Sequence, residues 1–289
     1  MKQFLYFAEA AALAFLSLLF KVMPPRMASN AGGWLGRRVG SSFAGKASGR
    51  AHHNLKTIMP DLNDNDIEAI ITDMWDNLGR VIAEYPHLEK IAAQYVEIEN
   101  EHYFDKDNPM ILIAAHLGNW EIPAAFMLQR FNKKLNLTYR PPNNPWVHKL
   151  LMYFRTMGGQ IKAYTKSRQG AHKVMKALRD ETSVGILIDQ KYNEGVNIPF
   201  MGHDAMTNPF FVQLAHKYGY PVIPAQIERL HDCHFRITLH PPVKILDENG
   251  QKRPLENVIG DVHSLMEQWI RARPAQWLWI HRRWRFTDK

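Results

Sequence analysis

One cysteine, Cys233, stands in 289 residues, so no internal disulfide framework can form and the chain fits a reducing compartment. No repeat or low-complexity tract is present, which excludes solenoid arrays and long disordered linkers. No Gly-x-Ser-x-Gly elbow occurs either. The nearest segment, Gly45-Lys46-Ala47-Ser48-Gly49, has the wrong spacing, which argues against a hydrolase-type serine nucleophile. Cys233 lies in His231-Asp232-Cys233-His234 beside an alternating segment and reads as structural. Neither that cluster nor His52-His53 has a second ligand pair at a metal-binding spacing, so no metal and no cofactor are expected. Carboxylates are missing from Ala10 to Pro60, and again between Glu267 and Asp288.

What is present is basic. The net charge is +8 and the pI about 9.5, pointing to an anionic partner: nucleic acid, a membrane surface or an acidic protein. Lys21, Arg26, Arg37, Arg38, Lys46, Arg50 and Lys56 follow an apolar stretch, Phe4 to Phe20, broken only by Glu9 and Ser17. That stretch is at the lower bound for crossing a bilayer. A signal peptide is a poorer reading, because Lys2 is its only n-region charge and Met23-Pro24-Pro25 is a poor cleavage site. Residues 1–23 are expected to be a membrane anchor and 24–289 the main domain. The basic excess after the anchor places that domain on the cytoplasmic side, against anionic headgroups.

Beyond the anchor, Ile67, Ile70, Ile71, Met74, Trp75 and Leu78 have helical spacing over 64–83, and Pro86 ends or kinks the helix. The chain then alternates. Strands are expected at 110–115, 135–139, 160–164, 184–188, 221–227 and 234–240, and helices at 120–130, 145–157, 168–180, 209–218 and 256–272. Such alternation predicts an α/β fold with a mostly parallel central sheet flanked by helices.

The chemistry-bearing segments cluster at expected strand ends. His116 follows the apolar run Met110–Ala115, where open α/β sheets place their sites. Gly118 permits a sharp turn, Asn119 suits an N-cap, and Glu121 falls in the next helix's first turn. A carboxylate there can hold one imidazole N–H and leave the other nitrogen as a base, or it is simply a first-turn acid. Arg140 closes the next strand and could clamp a phosphate or a developing oxyanion, or be surface charge. Asp189 and Gln190 follow Ile186-Leu187-Ile188; Asp189 could hold Arg140, bind acceptor hydroxyls or cap a turn. The segment Gly195–Gly202 could shape an apolar slot or be a crossover connection. Arg168, Lys173, Lys176 and Arg179 fall outside the apolar face of their helix, as a solvated surface or a dock for an acidic carrier. In the tail, Trp269, Trp277, Trp279 and Trp284 interleave with Arg271, Arg273, Arg282, Arg283 and Arg285. They suit bases or a membrane interface, and the apolar N-terminus favours the membrane or a lipid phosphate.

Taken in order, Ala115-His116-Leu117-Gly118-Asn119-Trp120-Glu121, Tyr139-Arg140-Pro141, Asp189-Gln190-Lys191-Tyr192, Ile198-Pro199-Phe200-Met201-Gly202 and Trp279-Ile280-His281-Arg282-Arg283-Trp284 resemble the late acyltransferases of lipid A biosynthesis. The blocks and the anchor span essentially the whole chain. The resemblance implies the glycerol-phosphate acyltransferase fold and an inner-membrane enzyme working on the cytoplasmic side. It also implies an acyl-carrier-protein thioester as donor and a Kdo-bearing lipid A precursor as acceptor. The wider superfamily commonly has Asp where this chain has Glu121.

The residues agree with acyl transfer to a hydroxyl: His116 as base, Glu121 stabilising the imidazolium, and direct transfer without an acyl-enzyme. Arg140, Asp189, Gln190 and Asn119 are the expected substrate contacts. Two rivals stay open. One is an acyl-CoA-dependent membrane glycerolipid or glycolipid acyltransferase, which donor competition would separate. The other is a non-catalytic basic membrane- or nucleic-acid-binding protein, in which His116→Ala would leave function intact.

Overall fold

Short apolar runs between amphipathic helices have one stable arrangement, a sheet covered on both faces. In the computed structural model, which describes residues 2–43, 45–284 and 286, seven strands build it. Their order is β1 (Val96–Glu99), β9 (His234–Leu239), β8 (Val222–His231), β2 (Ile111–Ala114), β5 (Val184–Leu187), β3 (Asn136–Tyr139) and β4 (Ala163–Thr165). All neighbours are parallel except β8 and β9. In the fully buried β2, Ile111 and Ile113 enter the core on one face and Leu112 and Ala114 the core on the other, as a two-residue period requires. Helices α5 (Leu88–Gln94) and α6 (Ile122–Phe131) cover the second face; α8 (Arg168–Arg179), α9 (Phe210–Tyr218) and α10 (Leu255–Ala272) cover the first. The chain is thus an α/β protein with a mostly parallel sheet flanked by helices.

Every expected strand and helix of the alternating region is present, the largest differences being the end of β8, expected at 227 and found at His231, and the start of β4, expected at 160 and found at Ala163. Strand β1 was not expected; it is a short edge with alternating burial. The segment Gly195–Gly202 lies within the crossover connection from β5 to β8 and does not line the cavity beside His116. It lies mostly in an antiparallel hairpin, β6 (Val196–Phe200) and β7 (His203–Thr207), turned by Met201 and Gly202, both at positive φ, as a two-residue hairpin turn favours.

The N-terminal part is helical. Helix α1 (Lys2–Val22) is, among the described residues, the one helix long and apolar enough to cross a membrane. Its 21 residues span about 31 Å at 1.5 Å each. Most of it is exposed, including Phe4, Phe7, Phe15 and Leu18. It nevertheless leans on the body: Asn144 Nδ2 donates to the Tyr6 carbonyl at 2.7 Å, and the His87 Nε2 lies 2.8 Å from the Phe20 carbonyl. Helix α2 (Pro25–Phe43) packs against α4 (Asp64–Glu84) backbone to backbone; a Cβ on Gly36 would lie 2.1 Å from the Trp75 carbonyl oxygen. The helix α3 (Gly45–Ile58) and the 3-10 turn at Tyr85–His87, where Pro86 was expected to break the helix, complete this part. Buried Glu84 ties it to the sheet, accepting from Ser29 Oγ at 2.7 Å and from both terminal nitrogens of Arg229.

Candidate active site

Strands β2 and β5 are neighbours with Ala114 opposite Leu187. Two residues further along each strand the chain presents a polar side chain, His116 and Asp189, so the two emerge side by side at the carboxyl edge. His116 Nδ1 is 2.7 Å from Asp189 Oδ1, and the His116 backbone N–H donates to Oδ2 at 2.9 Å. The Trp277 indole N–H donates to the same Oδ2 at 2.8 Å. Asp189 is 1% exposed. Burial pushes its carboxyl up, but the charge and hydrogen bonds of His116 outweigh burial and hold it well below the usual carboxylate range. An ionised carboxylate only accepts, so the imidazole proton sits on Nδ1 and the lone pair on Nε2.

The carboxylate expected to orient His116 faces another partner. Helix α6 begins at Ile122 rather than Trp120, after Gly118 at φ +58°, and this turn directs Glu121 toward α7 (Pro145–Arg155). Arg155 Nη2 and Nε donate to Glu121 at 2.5 and 2.8 Å, and the Tyr85 hydroxyl donates at 2.8 Å. Burial raises the Glu121 carboxyl, yet the Arg155 guanidinium and these bonds leave it below its ordinary value. Tyr85 in turn is raised, by burial first and the Glu121 charge second. Asn119 is also differently engaged. The N-cap position of α6 falls on Glu121 and not on Asn119. Asn119 accepts from the Glu121 N–H at 3.1 Å in the turn before the helix, and its fully buried amide donates to Glu84 at 2.8 Å; it does not line the cavity at His116.

That cavity, of about 140 Å³, is walled by Leu112 and Ala114 of β2, Leu137 of β3, Gly185 and Leu187 of β5, and Leu135. Gly185 has ordinary backbone angles, so space explains it. A Cβ there would meet the Leu135 and Leu137 methyls at 2.9 and 3.0 Å, and a glycine inside a buried strand marks close approach of something else. His116, Arg140 and Gln190 all line the cavity, as do Glu121 and Arg155. Arg140 is exposed at the end of β3, on the edge that carries His116.

Three contributors were not foreseen. Lys166, just after β4, lines the cavity and donates to the Leu187 carbonyl at 3.2 Å. Burial lowers its ammonium against the pull of Asp189. His281 brings its ring within 5.5 Å of the His116 ring, edge-on, and Gln190 Nε2 lies 3.2 Å from His116 Nε2 and 3.4 Å from His281 Nε2. Burial and then the neighbouring His116 push His281 down to about 4.

The third is the tail, which turns inward. Trp277, Trp279 and Trp284 are completely buried and Trp269 nearly so, which overturns their expected place at a membrane interface. Leu117 bridges Trp277, and the Gly118 N–H donates to the Gln276 carbonyl at 3.1 Å, strapping the tail across the His116 turn. Arg283 is buried over the Phe200 ring; Arg285 lies outside the described residues.

Cys233 is buried, its thiol pushed up to about 11 by burial and then by Glu84, as suits an inert side chain. At the same hairpin His231, Asp232 and His234 bring possible ligand atoms within 4.8 Å of one another, but Asp232 is already paired with Arg26 at 3.0 Å.

Comparison with known proteins gives a match over residues 2–286 to the family model described as bacterial lipid A biosynthesis acyltransferase. No curated protein matches the sequence. Among solved structures, the chain is similar to the 1-acyl-sn-glycerophosphate (LPA) acyltransferase PlsC from Thermotoga maritima. The TM-score is 0.42 at 13% identity, over 86% of this chain and 98% of that one.

Proposed function

Since the chain belongs to the bacterial lipid A biosynthesis acyltransferase family and is an acyltransferase, we propose that it moves a fatty acyl chain from an acyl-carrier-protein thioester to a hydroxyl of a Kdo-bearing lipid A precursor. The observation that carries this reading is the 2.7 Å contact of Asp189 with His116 Nδ1, which leaves Nε2 as a base on the lining of a cavity with both aliphatic and polar walls. The acceptor hydroxyl gives its proton to Nε2 as its oxygen attacks the thioester carbonyl. Asp189 stabilises the imidazolium, the role first expected of Glu121. The C–S bond then breaks and the departing sulfur takes the proton from Nε2. No enzyme nucleophile is needed, in keeping with the buried Cys233. Glu121 instead fixes Arg155 and with it the α6–α7 wall of the cavity.

The cavity's aliphatic walls suit the acyl chain, and Arg140 with Lys166 at its rim suit an acceptor phosphate. The protein is membrane-associated, as its apolar α1 and its family imply. Basic residues after α1 favour the inner membrane with the catalytic body on the cytoplasmic side. Arg168, Lys173, Lys176 and Arg179 are exposed on α8, a surface suited to an acidic carrier protein.

The test is donor competition. Detergent-solubilised protein, given a Kdo-bearing tetra-acylated lipid A precursor, should add one acyl chain from acyl-carrier protein, read as a single mass increment. Equal or better transfer from acyl-CoA, or transfer to a lysophospholipid alone, would overturn the donor or acceptor assignment.

A further inference from the structure

We propose that Gln190 stabilises the oxyanion of the tetrahedral intermediate and that His281 is the positioning residue that aims it. The inference rests on the acyl-transfer reading above and adds to it the group that meets the charge on the carbonyl oxygen.

The hydrogen-bond pattern fixes which end of the Gln190 amide faces the base. With the proton of His116 on Nδ1, Nε2 presents a lone pair, so the Gln190 atom 3.2 Å away must be the donor nitrogen. That nitrogen is also 3.4 Å from His281 Nε2. An amide nitrogen has two hydrogens, and each imidazole accepts one. The amide nitrogen can only donate, so His281 accepts at Nε2 as the neutral tautomer with its proton on Nδ1, and burial and then His116, which push its ring down to about 4, favour that neutral form. It is also held by its backbone. Asn54 Nδ2 donates to the Trp279 carbonyl at 2.7 Å and to the His281 carbonyl at 3.1 Å, and Arg50 donates to the Ile280 carbonyl at 2.9 Å.

When an acceptor hydroxyl takes the Nε2 lone pair, only one of the two amide hydrogens is displaced. The other bond to His281 keeps the nitrogen beside the reacting centre, with its freed hydrogen turned to the thioester carbonyl. As the O–C bond forms, the carbonyl π pair moves onto oxygen and the hydroxyl proton moves to His116 Nε2. Collapse re-forms the carbonyl, breaks the C–S bond and returns the proton to sulfur. The Gln190 bond is strongest while the oxygen is charged, so it contributes to rate rather than to ground-state binding. A neutral donor in this position also leaves His116 free to become an imidazolium.

Removing one oxyanion donor lowers kcat by roughly 10²–10³-fold. Gln190→Leu and Gln190→Glu, neither of which keeps the donor, should both fall in that range, with KM for donor and acceptor within about threefold of wild type. His281→Phe should lose about tenfold in kcat. Combined with Gln190→Leu it should add nothing, since His281 acts only through Gln190. Thermal unfolding of each variant in detergent identifies any that is misfolded, and the Gln190→Glu protein then carries the test if Gln190→Leu is lost. A change confined to KM, or multiplicative losses in the double variant, would overturn the proposal. Wild-type protein with no transfer from acyl-carrier protein would sink the acyl-transfer reading itself. Active wild type with Gln190→Leu within threefold would sink only this inference.

Discussion

Asp189 holds His116 because Ala114 and Leu187 are register partners across β2 and β5. Two parallel strands in register deliver residues at equal offsets to the same place, so a pair 73 positions apart in sequence forms a contact shorter than many local ones. The Trp277 indole, from the tail, then takes part of the remaining acceptor capacity of Asp189.

Glu121 and Arg155 form a largely buried pair, with side chains 3% and 16% exposed. Removing one partner of such a pair leaves a charge without compensation, at a loss of about 3 kcal/mol. Glu121→Gln should therefore lower the unfolding midpoint clearly, while kcat per folded molecule falls less than tenfold. Glu121→Leu with Arg155→Met should recover much of the stability. An unchanged midpoint together with a loss of 100-fold or more in kcat would return Glu121 to the orienting role.

His263 gives stability a specific pH dependence. Its Nδ1–H donates to the Pro199 carbonyl at 2.7 Å, it is 2% exposed, and burial with Arg283 nearby lowers it from 6.5 to about 4. Between those values the unfolded chain binds a proton that the folded protein refuses. Stability should then decline as pH falls from 6.5 to 4, by up to about 1.4 kcal/mol per pH unit from this group. Asp189 and Glu121 act lower. Their depressed folded values give stability that is present above the ordinary carboxylate range and lost as pH falls through the folded values. Unfolding midpoints from pH 7 to 4 check this: His263→Gln should flatten the upper part of the decline, and an unaltered profile would refute the assignment.

Gly185 lines the cavity between Leu135 and Leu137. Gly185→Ala places a methyl against Leu135 and Leu137, and their flexible ends would yield into the cavity. The preferred donor should shorten by about one to two carbons, at roughly 0.8 kcal/mol per methylene excluded. Competition among acyl-carrier-protein thioesters of graded length checks it. An unchanged ranking would mean that the acyl chain lies elsewhere.

Much of this was legible in the sequence. Apolar runs and helical spacing gave the strands and helices because burial imposes those periods. That His116, Arg140 and Gln190 meet on one sheet edge was readable from their places after β2, β3 and β5. The pairing of His116 was not, since strand order decides it and β5 inserts between β2 and β3 only in three dimensions. Glu121 looked like the partner because a helix starting at Trp120 would have put it within reach; the start at Ile122 turned it away. The tail misled for a related reason. Tryptophan among arginines has the composition of an interface, and only the fold reveals that Trp277 and Trp279 fill a core behind the site. His281 sat in a quoted sequence block, with no local pattern tying it to His116.

The central claim is that His116, held by Asp189, is the base for acyl transfer. Its most direct test is the single-turnover rate of labelled acyl transfer from acyl-carrier protein by His116→Ala and Asp189→Asn, each shown to be folded. The account predicts losses of about 10²–10⁴-fold for both. Retention of more than about a tenth of the wild-type rate by His116→Ala would contradict it.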